Sequence, residues 1–173
     1  MKRALSLTLV LIVILNLCGC FFSRNGIKEP VTFYYTRASS EFVYGAEDGV
    51  IASETREASG HKNDLRYLLR LYLQGPSDQN LQSPFPAGTG LLLAEAQDGT
   101  LTVTLSSAFT KLKDLDLSIA CACLAQTCFG LTDAEEVVIL AEAAEGSDTV
   151  HVTISKDSFL LEDNVLPSTE ASD

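Results

Sequence analysis

Three cysteines, Cys121, Cys123 and Cys128, fall in one apolar run of the chain. Thiols so placed suggest a metal or redox centre, so their spacing matters. On a helix, Cys121 and Cys128 stand about 10.5 Å apart, beyond the ~7 Å limit for a disulfide. Cys121 and Cys123 project about 200° apart around the axis. No histidine or second cysteine pair follows at ligand spacing, so the three are read as small buried hydrophobes. His61 and His151 are the two histidines. Without an HExxH or GxSxG pattern they assemble no hydrolase, and they are expected to face solvent or to cap. Asp114-Leu115-Asp116 lacks the glycine and glutamate of a calcium loop and suits a helix N-terminus instead. Gly88-Thr89-Gly90 follows prolines and leads into a strand, the wrong setting for a phosphate cradle. No catalytic residue, cofactor or metal is expected, and the chain is read as a non-enzyme.

Two features point to surface chemistry. Lys62, Arg66 and Arg70 recur every four residues, a basic stripe on an acidic chain. The stripe is a candidate contact for an acidic partner or for a neighbouring copy. It also fits a solvated helix face with local ion pairs, each worth little. The second feature is at the start of the chain. Lys2 and Arg3 precede an apolar run, Ala4–Leu17, of about 14 residues, where a spanning helix needs about 20. It is read as the apolar centre of a signal peptide. The run ends in Leu17-Cys18-Gly19-Cys20, which resembles the bacterial lipobox, a leucine three residues before a cysteine with a small residue between. The resemblance implies cleavage before Cys20 and acyl chains, palmitate among them, on that cysteine. Cys18, after bulky Leu17, fits poorly. An ordinary secretory signal and an uncleaved anchor are the alternatives.

The elements that must carry these residues follow from periodicity. The chain has 173 residues, 46% hydrophobic and 20% charged, with a formal charge of −11. That length suits one domain, and the acidic balance excludes a nucleic-acid binder. Cleavage before Cys20 leaves 10 basic and 23 acidic residues. The divisions expected are a signal peptide over 1–19, lipidated Cys20 with a tether over 20–29, an α+β domain over 30–155 and an acidic tail over 156–173. Within the body, Val31–Thr36, Phe42–Tyr44 and Val50–Thr55 read as strands, with a turn at Glu47-Asp48-Gly49. Leu65, Leu68, Leu69, Tyr72 and Leu73 make one face of a helix over Lys62–Gln74, ended by Gly75-Pro76. A loop over Ser77–Gly90 precedes a hairpin, Leu91–Gln97 and Thr100–Leu105, turned at Asp98-Gly99. A second helix, about Leu117–Phe129 and closed by Gly130, is apolar nearly all round and should be buried on several sides. Glu136–Glu142 suits an inner strand and Val150–Ile154 an outer one. A short docked segment is expected around Phe159–Leu161. The order implies a two-layer α+β sandwich, a mixed or antiparallel sheet packed against two helices.

The residues resemble a known family. Val31-Thr32-Phe33-Tyr34-Tyr35, Glu54-Thr55-Arg56, the Leu-rich helix closed by Gly75-Pro76, and Ser83-Pro84-Phe85-Pro86-Ala87-Gly88-Thr89 come first. Asp98-Gly99, Val103-Thr104-Leu105-Ser106-Ser107-Ala108-Phe109 and Val137-Val138-Ile139-Leu140 follow in the same order. The pattern is similar to the GerMN domain of sporulation and germination lipoproteins, over roughly Val31–Glu142. A departure is Ala141-Glu142-Ala143-Ala144, where the family often has Asp-Gly. The resemblance implies an α+β unit like the ring-building modules of secretion-type complexes. It implies an extracytoplasmic lipoprotein on the cell membrane, held by membrane lipid through Cys20, with a protein partner or self-association and no nucleic acid. The implied role is assembly or binding in a membrane complex. The alternative is a ligand-binding or hydrolytic lipoprotein whose pocket is not readable from sequence.

Overall fold

Strand β1 (Pro30–Arg37) alternates buried Val31, Phe33 and Tyr35 with more exposed Thr32, Tyr34 and Thr36. This period of two is the signature of a strand with one covered face. The computed structural model describes residues 29–38, 49–58, 60–142 and 149–158. The strand expected at Phe42–Tyr44, residues Glu47 and Asp48 of the turn, and the segment Phe159–Leu161 lie outside the described residues. β1 pairs antiparallel with β2 (Ile51–Glu57) from Pro30 opposite Glu57 to Thr36 opposite Ile51. Helix α1 (Leu65–Leu73) follows, then the two-residue β3 (Leu81–Gln82), which pairs only with Thr36 and Arg37 at the end of β1. The segment expected as a loop therefore contains a short strand.

The second sheet runs β4 (Leu91–Gln97), β5 (Thr100–Leu105), β6 (Glu136–Ala141) and β7 (Val150–Ser155), in that order. Asp98 and Gly99, at φ 50° and 82°, make the tight β4–β5 turn. Both angles are positive, which a two-residue hairpin of this hand requires and which Asp-Gly tolerates. Helix α2 (Asp114–Leu131) is the crossover that lets β5 and β6 run parallel. The register sets Leu101 beside Val137, Val103 beside Ile139 and Leu105 beside Ala141, all six fully buried. β7 is the outer strand, as its alternation implies.

The α+β class and the two helices agree with the expectation, but the strands divide between two sheets. The reason lies on the free edge of β1. Beyond β3 that edge is met by side chains rather than by another strand. The Tyr34 N–H donates to Thr127 Oγ1 of α2 at 3.0 Å, and the Tyr34 carbonyl accepts from the Tyr72 hydroxyl of α1 at 2.7 Å. Backbone groups satisfied in this way need no strand partner. Tyr72 and Phe85 meet edge to face at 5.3 Å and Phe85 approaches Phe109 at 6.2 Å, so one core runs across both sheets.

The helix ends also differ from the reading. Asp64 caps α1, accepting the Tyr67 N–H at 3.0 Å, so Lys62 sits in the preceding turn and not on the helix. A side-chain cap satisfies a donor that the first turn leaves open, and this sets the start at Leu65. Gly75, at φ 95°, ends α1 as expected. Gly130 does not end α2. It lies inside the helix, which continues to Leu131 and stops at extended Thr132. α2 is long and apolar enough to cross a membrane by length and composition. Here Cys121, Leu124, Ala125 and Cys128 are instead packed into the domain core.

Candidate functional site

The most concentrated polar chemistry in the described residues is centred on Arg56 of β2. Arg56 and Glu54 lie two residues apart on one strand and so share a face. The guanidinium grips the carboxylate with two bonds, Nε to Oε1 at 3.0 Å and Nη2 to Oε2 at 3.1 Å. It also donates to the Gly75 carbonyl and to the Tyr35 hydroxyl, and it lies over the rings of Phe33 and Tyr35. Glu54 accepts the Ser77 N–H at 2.9 Å. Burial alone would raise the Glu54 pKa, but the bonds from Arg56 and Ser77 outweigh it and hold the carboxyl below its ordinary value. The Tyr35 hydroxyl in turn donates to the Tyr72 carbonyl at 3.0 Å. Burial pushes both tyrosine hydroxyls upward in pKa. These groups are saturated by one another, and what they do is clamp the end of α1 to β1 and β2. Glu54-Thr55-Arg56 was legible as a motif. Its partners at Gly75 and Ser77 were not, because nothing local links them.

The three domain cysteines are free and buried. Burial raises Cys121 to about 11, Cys123 to about 12 and Cys128 to about 12. The reading as small core hydrophobes agrees with this. At about pH 8 such thiols hold very little thiolate, the reactive form. A thiol reagent added to the folded domain is therefore expected to react with none of the three within minutes and with all three after denaturation. Rapid reaction of any one in the folded state would contradict its burial.

A cleft of about 1080 Å³ opens between α2, β1 and the start of β2. Tyr34, Arg37, Ser53, Asp78, Ser118 and Gln126 are among the residues that line it. Three of these six polar side chains are occupied locally. Asp78 holds Asn80, Ser118 donates to the Asp114 carbonyl, and Arg37 Nε donates to the Gly49 carbonyl. Gln126 Oε1 is buried and has no hydrogen-bond partner among the described residues. The cleft joins segments far apart in the chain, and no motif marked it.

The other residues singled out by sequence stay apart from the cleft lining. His61 stacks on Tyr67 at 4.0 Å and is exposed, and His151 is exposed on β7. Asp114 and Asp116 occupy the first turn of α2. Lys62, Arg66 and Arg70 are all exposed. Among the described residues none of these three cations forms an ion pair. The stripe is therefore two helical arginines preceded by a turn lysine.

Residues 32–147 match the family described as "Germane: Sporulation and spore germination". No curated protein matches the chain. The first GerMN domain of the sporulation protein GerM from Bacillus subtilis is similar in fold, with a TM-score of 0.50 and 14% identity, over 73% of this chain and 98% of that one. The tandem GerMN domains of the same protein align at a TM-score of 0.48 and 20% identity over 72% of this chain, which spans 44% of that structure. A candidate lipoprotein from Clostridium perfringens aligns at a TM-score of 0.42 and 17% identity, over 76% of this chain and 89% of that one.

Proposed function

This chain belongs to the Germane family of sporulation and spore germination, and from that premise we propose that it is a lipid-anchored assembly protein on the extracytoplasmic face of the membrane. Acylated Cys20 holds it to lipid, and the α+β domain joins a membrane-associated complex without catalysing a reaction. One observation carries this reading. The groups best suited to chemistry, Arg56, Glu54 and the three thiols, are locked into the packing of the domain, whereas the cations at Lys62, Arg66 and Arg70 are exposed and form no ion pair among the described residues. Buried acyl chains contribute about 0.8 kcal/mol per CH₂, so a multiply acylated cysteine is a firm anchor.

Replacing Cys20 with alanine is expected to abolish lipid labelling and to prevent processing to the mature form. The check is metabolic labelling with a fatty acid, followed by gel mobility and membrane fractionation. A variant as strongly labelled as the parent would rule out Cys20 as the anchor. The assembly role is tested by affinity capture from cells crosslinked during sporulation and during growth. Recovery of the chain without any specific companion at either stage would remove it. A second reading, ligand binding, draws on the cleft beside α2 and on the unsatisfied Gln126 Oε1.

A further inference from the structure

Helix α2 is apolar nearly all round, yet the core covers only part of it. Cys121, Leu124, Ala125 and Cys128 are packed into that core. Ile119, Ala122 and Gln126, at i, i+3 and i+7, lie on another face and line the cleft of about 1080 Å³. On its sheet side the cleft has Tyr34 and Ser53, register partners on β1 and β2. The Arg37 N–H donates to the Val50 carbonyl, and this sets the ladder. Three residues on, Tyr34 and Ser53 form a non-bonded pair, where opposed side chains come closest. Among the described residues neither the Tyr34 hydroxyl nor the Ser53 hydroxyl has a hydrogen-bond partner. Gln126 Oε1 is buried without one. A buried polar atom left unpaired costs stability unless water or a ligand answers it.

The lining selects among ligand classes, and charge comes first. Its two ionic side chains, of opposite sign, are engaged within the fold. Asp78 accepts the Asn80 N–H at 2.8 Å and the Asn80 amide at 2.9 Å. Arg37 donates to the Gly49 carbonyl and has a further partner. No uncommitted charge among the described residues awaits a phosphate, a carboxylate or a metal ion. Backbone comes second. An extended peptide beside a sheet gains affinity by pairing along a free strand edge. The β1 edge beside α2 is closed. Thr127 and Tyr72 take the Tyr34 N–H and carbonyl, and Thr36 and Arg37 pair with β3. Binding must therefore come from side chains. Those on offer are hydroxyls and a carboxamide, each both donor and acceptor. Their complement is a ligand whose own groups also donate and accept, an array of hydroxyls. Ile119, Ala122 and the Tyr34 ring add apolar surface for the C–H faces between such hydroxyls. The volume lies just above the range of about 300–1,000 Å³ for small-molecule sites, which suits linked rings better than one ring.

We propose that the cleft between α2, β1 and β2 binds an uncharged oligosaccharide, with the Tyr34 ring against a sugar face and Ser53 and Gln126 on sugar hydroxyls. The proposal rests on the second reading above, ligand binding at this cleft, and gives that site its ligand class. Anchoring at Cys20 and the assembly role do not depend on it. Rotation of the long Gln126 side chain about its own bonds brings its amide onto the ligand. Gln126 thus trades stability of the empty domain for binding, and this trade gives the test its sign.

The test is titration calorimetry on the mature acylated lipoprotein in phosphatidylcholine nanodiscs. Three probes are used: maltotetraose, the tetramer of N-acetylglucosamine, and tetra-alanine blocked at both ends. At least one sugar is expected to bind with a Kd of about 1 mM or tighter, and the peptide is not. Because the ligand is uncharged, its affinity should change by less than about twofold between low and high salt. Gln126→Leu is expected to weaken sugar binding at least about tenfold while melting at or above the parent, since the atom removed had no partner. Ser53→Ala removes an exposed hydroxyl without a partner and should weaken binding at least about threefold with an unchanged melt. If Gln126→Leu melts below the parent, Ser53→Ala alone decides. Sugar affinity left unchanged by these substitutions overturns the proposal. Binding of the peptide and of neither sugar overturns the saccharide class and keeps the cleft as a ligand site. Binding of no probe overturns the proposal and removes the second reading with it.

Discussion

Replacing Tyr72 with alanine is expected to destabilise the domain by about 4 kcal/mol, the largest single effect predicted for this chain. Tyr72 is fully buried, with rings on several sides: Phe33 at 5.5 Å, Tyr35 at 5.0 Å and Phe85 at 5.3 Å. Truncation removes those contacts and leaves a cavity that the two sheets and α1 can only partly close. It also withdraws the hydroxyl from the Tyr34 carbonyl, leaving a half-buried acceptor without that donor. Tyr72→Phe separates the two contributions. It keeps the ring and loses only the hydrogen bond, so a cost of about 1–3 kcal/mol is expected. Urea denaturation followed by circular dichroism measures both. A Tyr72→Ala cost under about 1 kcal/mol would mean that this ring does not join the two sheets.

The second large effect concerns Arg56. Its replacement by alanine is expected to cost about 3 kcal/mol, at the lower end for a buried pair because both side chains keep some solvent contact. The loss has several parts. Glu54 keeps only the Ser77 N–H, and the Gly75 carbonyl and Tyr35 hydroxyl lose a donor. Part of the cost is the isolation of the Glu54 charge. Arg56→Ala/Glu54→Gln is therefore expected to be less destabilised than the sum of the single changes. The pH dependence has a definite sign. The Glu54 carboxyl is held below its ordinary pKa in the folded state. Its contribution is thus present above the unfolded-state pKa and is lost as pH falls through the folded one. The stability gap between parent and Arg56→Ala should narrow on acidification over that range. A gap that stays constant would show that the pair contributes through packing alone.

These two residues also show where sequence reading stops. The apolar face Leu65, Leu68, Leu69, Tyr72 announces a buried helix side, and Tyr72 is on it. That its hydroxyl would answer the backbone of Tyr34 was not legible, because 38 residues separate them and no pattern couples the two. Glu54 and Arg56 are visibly opposite charges on one strand face. Their link to the end of α1 depends on how the helix crosses the sheet. The stripe was legible as a spacing of four, yet the Asp64 cap moved Lys62 off the helix, since a local hydrogen bond decides where the first turn begins.

What the sequence determined by itself is what depends on short stretches of backbone. The alternation of Val31, Phe33 and Tyr35 made a strand. Asp98-Gly99 made a turn, because those two residues tolerate the positive φ it needs. The all-round apolar run with Cys121, Leu124 and Cys128 made a buried helix. Tertiary structure decided the rest: the division into two sheets, the covering of the β1 edge by Thr127, 93 residues from Tyr34, and the cleft beside α2. The physical reason is that periodicity and turn chemistry act between near neighbours. The pairing of distant edges is settled only when every buried donor, acceptor and apolar face finds its partner at once.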